Sequence, residues 1–200
     1  MEERYPGPED VRLAARLCRE TLLSLAERDW SIRAGELEWS ARQTLEHAAN
    51  TQQFYAVHLA ARARDRLAIS RCFDADISIA DLLSILDSRA AVLAEVVKAA
   101  PPDARGFHRT GNPDPSGYAA MGANEVLIHT DDIARGFCIP FTPPAPLCRR
   151  IVDRLFPWAP GDADPWSALR WANGRAALPG RDRLGPDWRW HSAPLTEGED

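Results

Sequence analysis

The chain has 200 residues, is 45% apolar and 26% charged, and carries a formal net charge of -5. That composition fits a globular protein of one domain, or one domain with a small appendage, long enough to bury a sizeable core. The acidic balance argues against a general nucleic-acid binder. With no apolar signal core in MEERYPGPED and no run near the roughly 18 apolar residues of a membrane span, a cytoplasmic protein that does not enter the membrane is expected.

A first helix should start after Pro8, with Glu9 and Asp10 favouring its N-terminal dipole. Val11, Leu13, Ala14, Leu17, Cys18, Leu22, Leu25 and Ala26 follow helical spacing. Trp30 to Glu38 breaks the pattern and reads as a connection. A second helix is predicted from about Ser40, its N-cap, to Asp65, with Leu45, Ala48, Ala49, Gln52, Tyr55, Ala56 and Leu59 on one stripe. A third fits Ser78 to Ala100, stopped by Pro101-Pro102. Asp103 to Ser116 is a Gly/Pro/Asn/Asp-rich loop, and a fourth helix runs to about Phe137, where Gly136 and Pro140 mark its end.

Four long helices joined by connections of about 10 to 15 residues predict an all-α four-helix bundle over residues 1–140. Residues 141–200 should form a C-terminal extension packed on it. Short helices are expected around Leu147 to Phe156 and from Pro165 to Asn173, the latter capped by Asp164 and ended by Gly174. Trp188-Arg189-Trp190-His191 alternates in size and reads as a strand or an extended arm. An exposed bundle face or this Trp-rich tail could support a homodimer.

Lys98 is the only lysine; the other basic residues are Arg. With many Ala and Pro, this points to a GC-rich genome and is compatible with an actinobacterial source. Cys18, Cys72, Cys138 and Cys148 form no CxxC pair and no zinc-finger spacing with His, so they read as reduced thiols that mostly fill the core.

The segment Asn124-Glu125-Val126-Leu127-Ile128-His129-Thr130-Asp131-Asp132 carries the chemistry. Glu125 and His129 are four apart and project from one helix face, where a carboxylate and an imidazole can share one metal ion. Asp132 lies three residues on, on nearly the same face, where it can hold the other nitrogen of a ligand histidine or act as a nearby base. The same spacing also occurs as a mild surface pair. Two features favour a metal: three apolar residues separate Glu125 and His129, and His47 lies in an equally apolar context, Leu45-Glu46-His47-Ala48-Ala49. Buried polar groups need partners, and three protein ligands leave positions for water or substrate. The alternative is a set of mutually satisfied core residues without metal.

His58 is about 16 Å beyond His47 along a helix and cannot share its ion; it is expected to be half-exposed. Spacing leaves open whether His108 or His191 reaches the site. Arg135 can pair with an acidic substrate or with Asp132, or serve the helix dipole. Trp39 and Tyr118 can wall a pocket or fill the core.

Leu37-Glu38-Trp39-Ser40 followed by Leu45-Glu46-His47 resembles the W-S/T-x6-H signature of the DinB-like superfamily. It is most similar to the branch of mycothiol-dependent maleylpyruvate isomerase N-terminal domains. Glu125-x3-His129-x2-Asp132 resembles that branch's second signature, and Leu169 to Trp190 resembles its tails. The resemblance, over roughly residues 10 to 140, implies a bundle with His47, Glu125 and His129 around a divalent metal. Zinc is usual in this branch; nickel and iron occur in relatives. It also implies a low-molecular-weight thiol such as mycothiol as cosubstrate.

The function expected is therefore metal-dependent S-transfer or isomerisation of a small electrophile, by attack of a metal-stabilised thiolate. A metal-dependent hydrolase is the second reading. A non-enzymatic module binding a small molecule or a protein is the third.

Overall fold

A computed structural model describes residues 4–70 and 73–195. Four long helices form the body: α1 (Pro8–Leu22), α2 (Ala41–Ala60), α3 (Ile79–Ala99) and α4 (Pro115–Gly136). A single 3-10 turn, Leu23–Leu25, extends α1. Two shorter helices, α5 (Ala145–Leu155) and α6 (Pro165–Ala172), follow, and there is no strand among the described residues.

The N-termini are set by side chains that satisfy backbone N–H groups otherwise without partners. Ser40 Oγ accepts from Gln43 N–H at 3.1 Å while Gln43 accepts from Ser40 N–H at 2.9 Å, a reciprocal cap for α2. Ser78 caps α3 through Asp81 N–H, Asp114 caps α4 through Gly117 N–H, and Asp164 caps α6 through Ser167 N–H. The α4 cap is thus Asp114, just before the proline at its first position.

Side-chain contacts fix the directions. Arg12 reaches Glu95 and Arg19 reaches Asp87, so α1 and α3 run antiparallel. Arg42 donates to the Ile77 carbonyl and Arg89 to Asn50, so α2 and α3 run parallel. Gln52 donates to the Gly122 carbonyl and Tyr55 meets Tyr118, so α2 and α4 are antiparallel. The order is up, down, down, up. The parallel pair needs a crossover along the bundle, which residues 61–78 provide. This connection is longer than expected because α2 stops at Ala60 and not near Asp65. The chain turns there through Arg62 at φ +45°, with Ala63 N–H closing on the His58 carbonyl.

The core is aliphatic. Val11, Leu22, Leu45, Leu59, Leu82, Leu83, Leu86, Leu93, Met121 and Leu127 are all sealed from solvent. The α2 stripe read from the sequence is entirely buried.

Helix α4 ends at Gly136, as expected, but two details near its end differ. The left-handed residue that stops the helix is Cys138, at φ +57°, and not a glycine. Gly136 still lies in the helix, where a Cβ would fall 2.3 Å from the Arg33 carbonyl oxygen. Its role is close approach of the α1–α2 connection. Cys138 is exposed and is therefore no core filler, whereas Cys18 and Cys148 are buried. Burial pushes both of those thiols up to about 12. Cys72 lies outside the described residues.

Helix α5 packs on α4 and α6. Its Arg154 is almost wholly buried and donates to Asp114, Ser116 and the carbonyls of His191 and Ser192. Trp188 to His191 forms an irregular arm, tied to α5 by His191 N–H donating to Leu155 at 2.7 Å. No helix of the described residues is long and apolar enough to cross a membrane.

Candidate metal centre

The antiparallel seam between α2 and α4 brings His47, near the start of α2, level with Glu125 and His129 in the middle of α4. His47 Nε2 stands 3.1 Å from Glu125 Oε2, and His129 Nε2 stands 3.4 Å from the same oxygen. The two imidazoles are nearly perpendicular, with centroids 5.0 Å apart. One donor atom from each of the three residues lies within 4.8 Å of the others. His129 is buried and Glu125 nearly so, while His47 is partly open. Trp39 lies tilted against His47, with ring centroids 4.9 Å apart, and remains 44% exposed. A cleft of about 330 Å³ opens above the two imidazoles, walled by Leu37, Glu38, Trp39 and Arg175. A larger groove of about 760 Å³ runs between α1 and α3, but its polar lining is Arg12, Arg16, Arg19, Glu20, Ser24 and Asp87, with no imidazole.

The model of the DinB superfamily matches residues 11–133, more than half of the chain and nearly all of the four long helices. The chain belongs to the DinB superfamily. No curated protein and no solved structure matches it. DinB-like proteins bind divalent metals, and the donor set of this DinB bundle could hold one.

The electrostatics follow from burial and pairing. Burial works to raise the Glu125 carboxyl, but hydrogen bonds and charge from His129 and His47 outweigh it and hold the group well below the usual range. Burial likewise works against a charged His129. Hydrogen bonds to Asp132 and Glu125, with the charges of both, outweigh it and raise the imidazole to about 9. Asp132 is lowered in turn: burial opposes its charge, and the hydrogen bonds from His129 and Arg175 prevail. Two imidazole nitrogens thus converge on one carboxylate oxygen, and the Glu125 and Asp132 charges that favour a proton on His129 would equally favour a cation in its place.

Asp132 sits where the spacing placed it, 3.1 Å from His129 Nδ1. Both its oxygens are also engaged by Arg175, whose Nε donates to Oδ1 at 3.0 Å and Nη2 to Oδ2 at 3.0 Å. Arg175 was not foreseen as a site residue. It follows α6, and its only local signal is its place directly after the helix-ending Gly174.

Arg135 does not pair with Asp132. It donates to Glu36 at 2.6 Å, and Arg183 also pairs with Glu36, which pins the connection that carries Trp39. Tyr118 is core, with its hydroxyl donating to the Phe107 carbonyl. His58 is fully buried, not half-exposed: Nδ1 meets the Phe54 carbonyl at 2.8 Å and Nε2 accepts from Leu67 N–H at 3.0 Å. His108 and His191 do not join the ligand cluster. His108 pairs with Thr110 and lies between Tyr55 and Trp190, and burial lowers it to about 4.

Proposed function

We propose that this protein is a metal-dependent enzyme that uses a low-molecular-weight thiol, of the mycothiol class, for S-transfer or isomerisation of a small electrophilic substrate. The observation that carries the reading is the convergence of His47, Glu125 and His129, with the two histidines lining a cleft open to solvent. The donor set suits zinc, with two imidazoles and one carboxylate; nickel and iron accept the same ligands. A divalent ion bound there would supply Lewis acidity, lowering the pKa of a thiol or water at an open position.

The chain's own residues then have distinct tasks. His47, Glu125 and His129 hold the ion. Asp132 accepts from the Nδ1–H of His129, so that Nε2 is the nitrogen whose proton a cation would displace and whose lone pair would then bind it. With both oxygens bound by Arg175 and His129, Asp132 suits orientation better than proton transfer. Trp39 shields one side of His47 and offers an apolar wall to a substrate. Glu38 places a carboxylate on the rim of the cleft, where a proton released by an incoming thiol can be taken up.

The test combines elemental analysis with thiol-binding calorimetry on the wild type and His47→Ala. The wild type should retain one divalent ion per chain and bind thiol only when loaded. The variant should lose the ion yet keep its helical circular dichroism. Full occupancy in His47→Ala would defeat the assignment. The same open position also suits a metal-dependent hydrolase, and turnover without added thiol would favour that reading.

A further inference from the structure

We propose that Arg175 is a positioning residue of the metal centre: it fixes the Asp132 carboxylate, which orients the His129 ring, so the segment after α6 contributes to metal affinity. The inference rests on the metal-centre reading above. Arg175 lies outside the residues matched to the DinB superfamily, which end at 133.

The contact is a two-point grip. Nε and Nη2 of Arg175 each donate at 3.0 Å to a different oxygen of Asp132. Two parallel N–H···O bonds hold the carboxylate in one plane as well as at one distance. Oδ2, the oxygen that faces His129 Nδ1, is thereby held in place. Asp132 is buried, and Arg175 and His129 are its side-chain partners among the described residues.

The guanidinium is itself held from behind. Gly174 takes φ +66° and ends α6, and a Cβ on it would fall 2.9 Å from Trp188. The turn that follows places Arg175 N–H on the Arg170 carbonyl at 2.8 Å, and Arg175 Nη1 donates to the Asn173 carbonyl at 3.1 Å.

Neighbouring residues grip the same helix on both sides of the ligands. Asn173 and Asn124 exchange amide hydrogen bonds of 2.8 and 3.0 Å, next to Glu125, while the Arg170 charge lies 3.2 Å from Asp131, next to Asp132, without forming a hydrogen bond there. A segment distant in sequence thus holds α4 by hydrogen bonds at 124 and 132, bracketing Glu125 and His129. Arg175 also lines the cleft, so its orientation is coupled to the open face of the site.

The experiment uses the full chain. Zinc affinity is measured by competition calorimetry, and the coordination geometry is read from the d–d absorption of the cobalt-substituted protein. Arg175→Ala should weaken zinc binding about tenfold, in the range found for outer-shell partners of metal-bound histidines, and should shift the cobalt bands. Asp132→Ala should do at least as much. If Arg175 acts through Asp132, the double variant should bind no more weakly than Asp132→Ala alone. Should Arg175→Ala fail to fold, Arg175→Lys keeps the charge but not the parallel pair of bonds, and should show the same spectral shift with a smaller loss. Wild-type affinity and spectrum in a folded Arg175 variant, or additive losses in the double variant, would overturn the inference alone. A wild type that takes up no zinc would overturn the metal reading beneath it.

Discussion

The seam between α2 and α4 has a histidine at each end of α2, and the two ends use them differently. At one end His47 and His129 direct Nε2 at a shared carboxylate, and the cleft above stays open. At the other, His58 is stacked on Phe54, and both of its ring nitrogens are taken by backbone groups. Since Leu67 N–H donates to Nε2, that nitrogen carries no proton, and the ring is a neutral donor through Nδ1. Burial alone therefore does not separate a ligand from a strut: His129 at one end and His58 at the other are both buried, and only His47 is partly open. What separates them is whether the nitrogens face one another across a carboxylate or are spent on main chain.

The largest test of this contrast is a matched pair of substitutions. His47→Ala should weaken zinc binding by roughly a thousandfold, because one of three protein ligands is lost, with little change in the fold. His58→Ala should leave zinc binding as it was and lower stability by about 3 kcal/mol, from the cavity and from two stranded backbone groups. Metal analysis and urea unfolding on both proteins decide it. Loss of metal in His58→Ala would erase the distinction.

The two ends should also respond oppositely to pH. The metal-free His129 imidazole is raised to about 9, so a cation must displace its proton. Zinc affinity should therefore rise with pH, by about tenfold per unit while one proton is released, and level off near pH 9. The proton's contribution to the metal-free fold runs the other way: it is complete below the ordinary value of 6.5 and is lost as pH climbs through about 9. At the far end His108 is lowered to about 4, so its neutral form favours folding above 6.5, and that advantage fades as pH falls towards 4. Stability profiles with and without zinc, measured across this range, should differ on the alkaline side and coincide on the acid side. A zinc affinity flat with pH would mean that His129 is not a ligand.

Much of this contrast was legible in the residues. Glu125 and His129 were readable because a four-residue spacing with apolar residues between them means one buried face, and His47 because its helical neighbours are apolar. The four long helices followed from periodicity and from caps such as Ser40 and Ser78. His58 was misjudged although eleven residues are close to three whole helical turns, which returns it to the face of His47. Its partner Leu67 lies past the helix end, and no local pattern announces that contact. Arg175 escaped for the same reason: its bond to Asp132 joins positions 43 apart, through a turn and two short helices. The early stop of α2 was hidden because an arginine fills the position where a glycine would have signalled the end.

That last position gives the smallest and most local test. Arg62 ends α2 at φ +45°, a conformation that costs a residue with a Cβ about 1 kcal/mol relative to glycine. Its N–H donates to Leu59 and the next N–H to His58, so the turn is fully bonded, and the cost is confined to backbone sterics. Arg62→Gly should therefore stabilise the protein by no more than about 0.5 kcal/mol, much of the relief being offset by the greater freedom of glycine in the unfolded chain. Cys138 ends α4 in the same way at φ +57°, so Cys138→Gly should give a gain of the same size beyond the metal end. Urea midpoints measure both, and neither substitution should alter zinc affinity. A change in zinc affinity with Arg62→Gly would show that strain at one end of α2 is transmitted to His47 at the other. The two ends would then be parts of one device, and their separate treatment would fail.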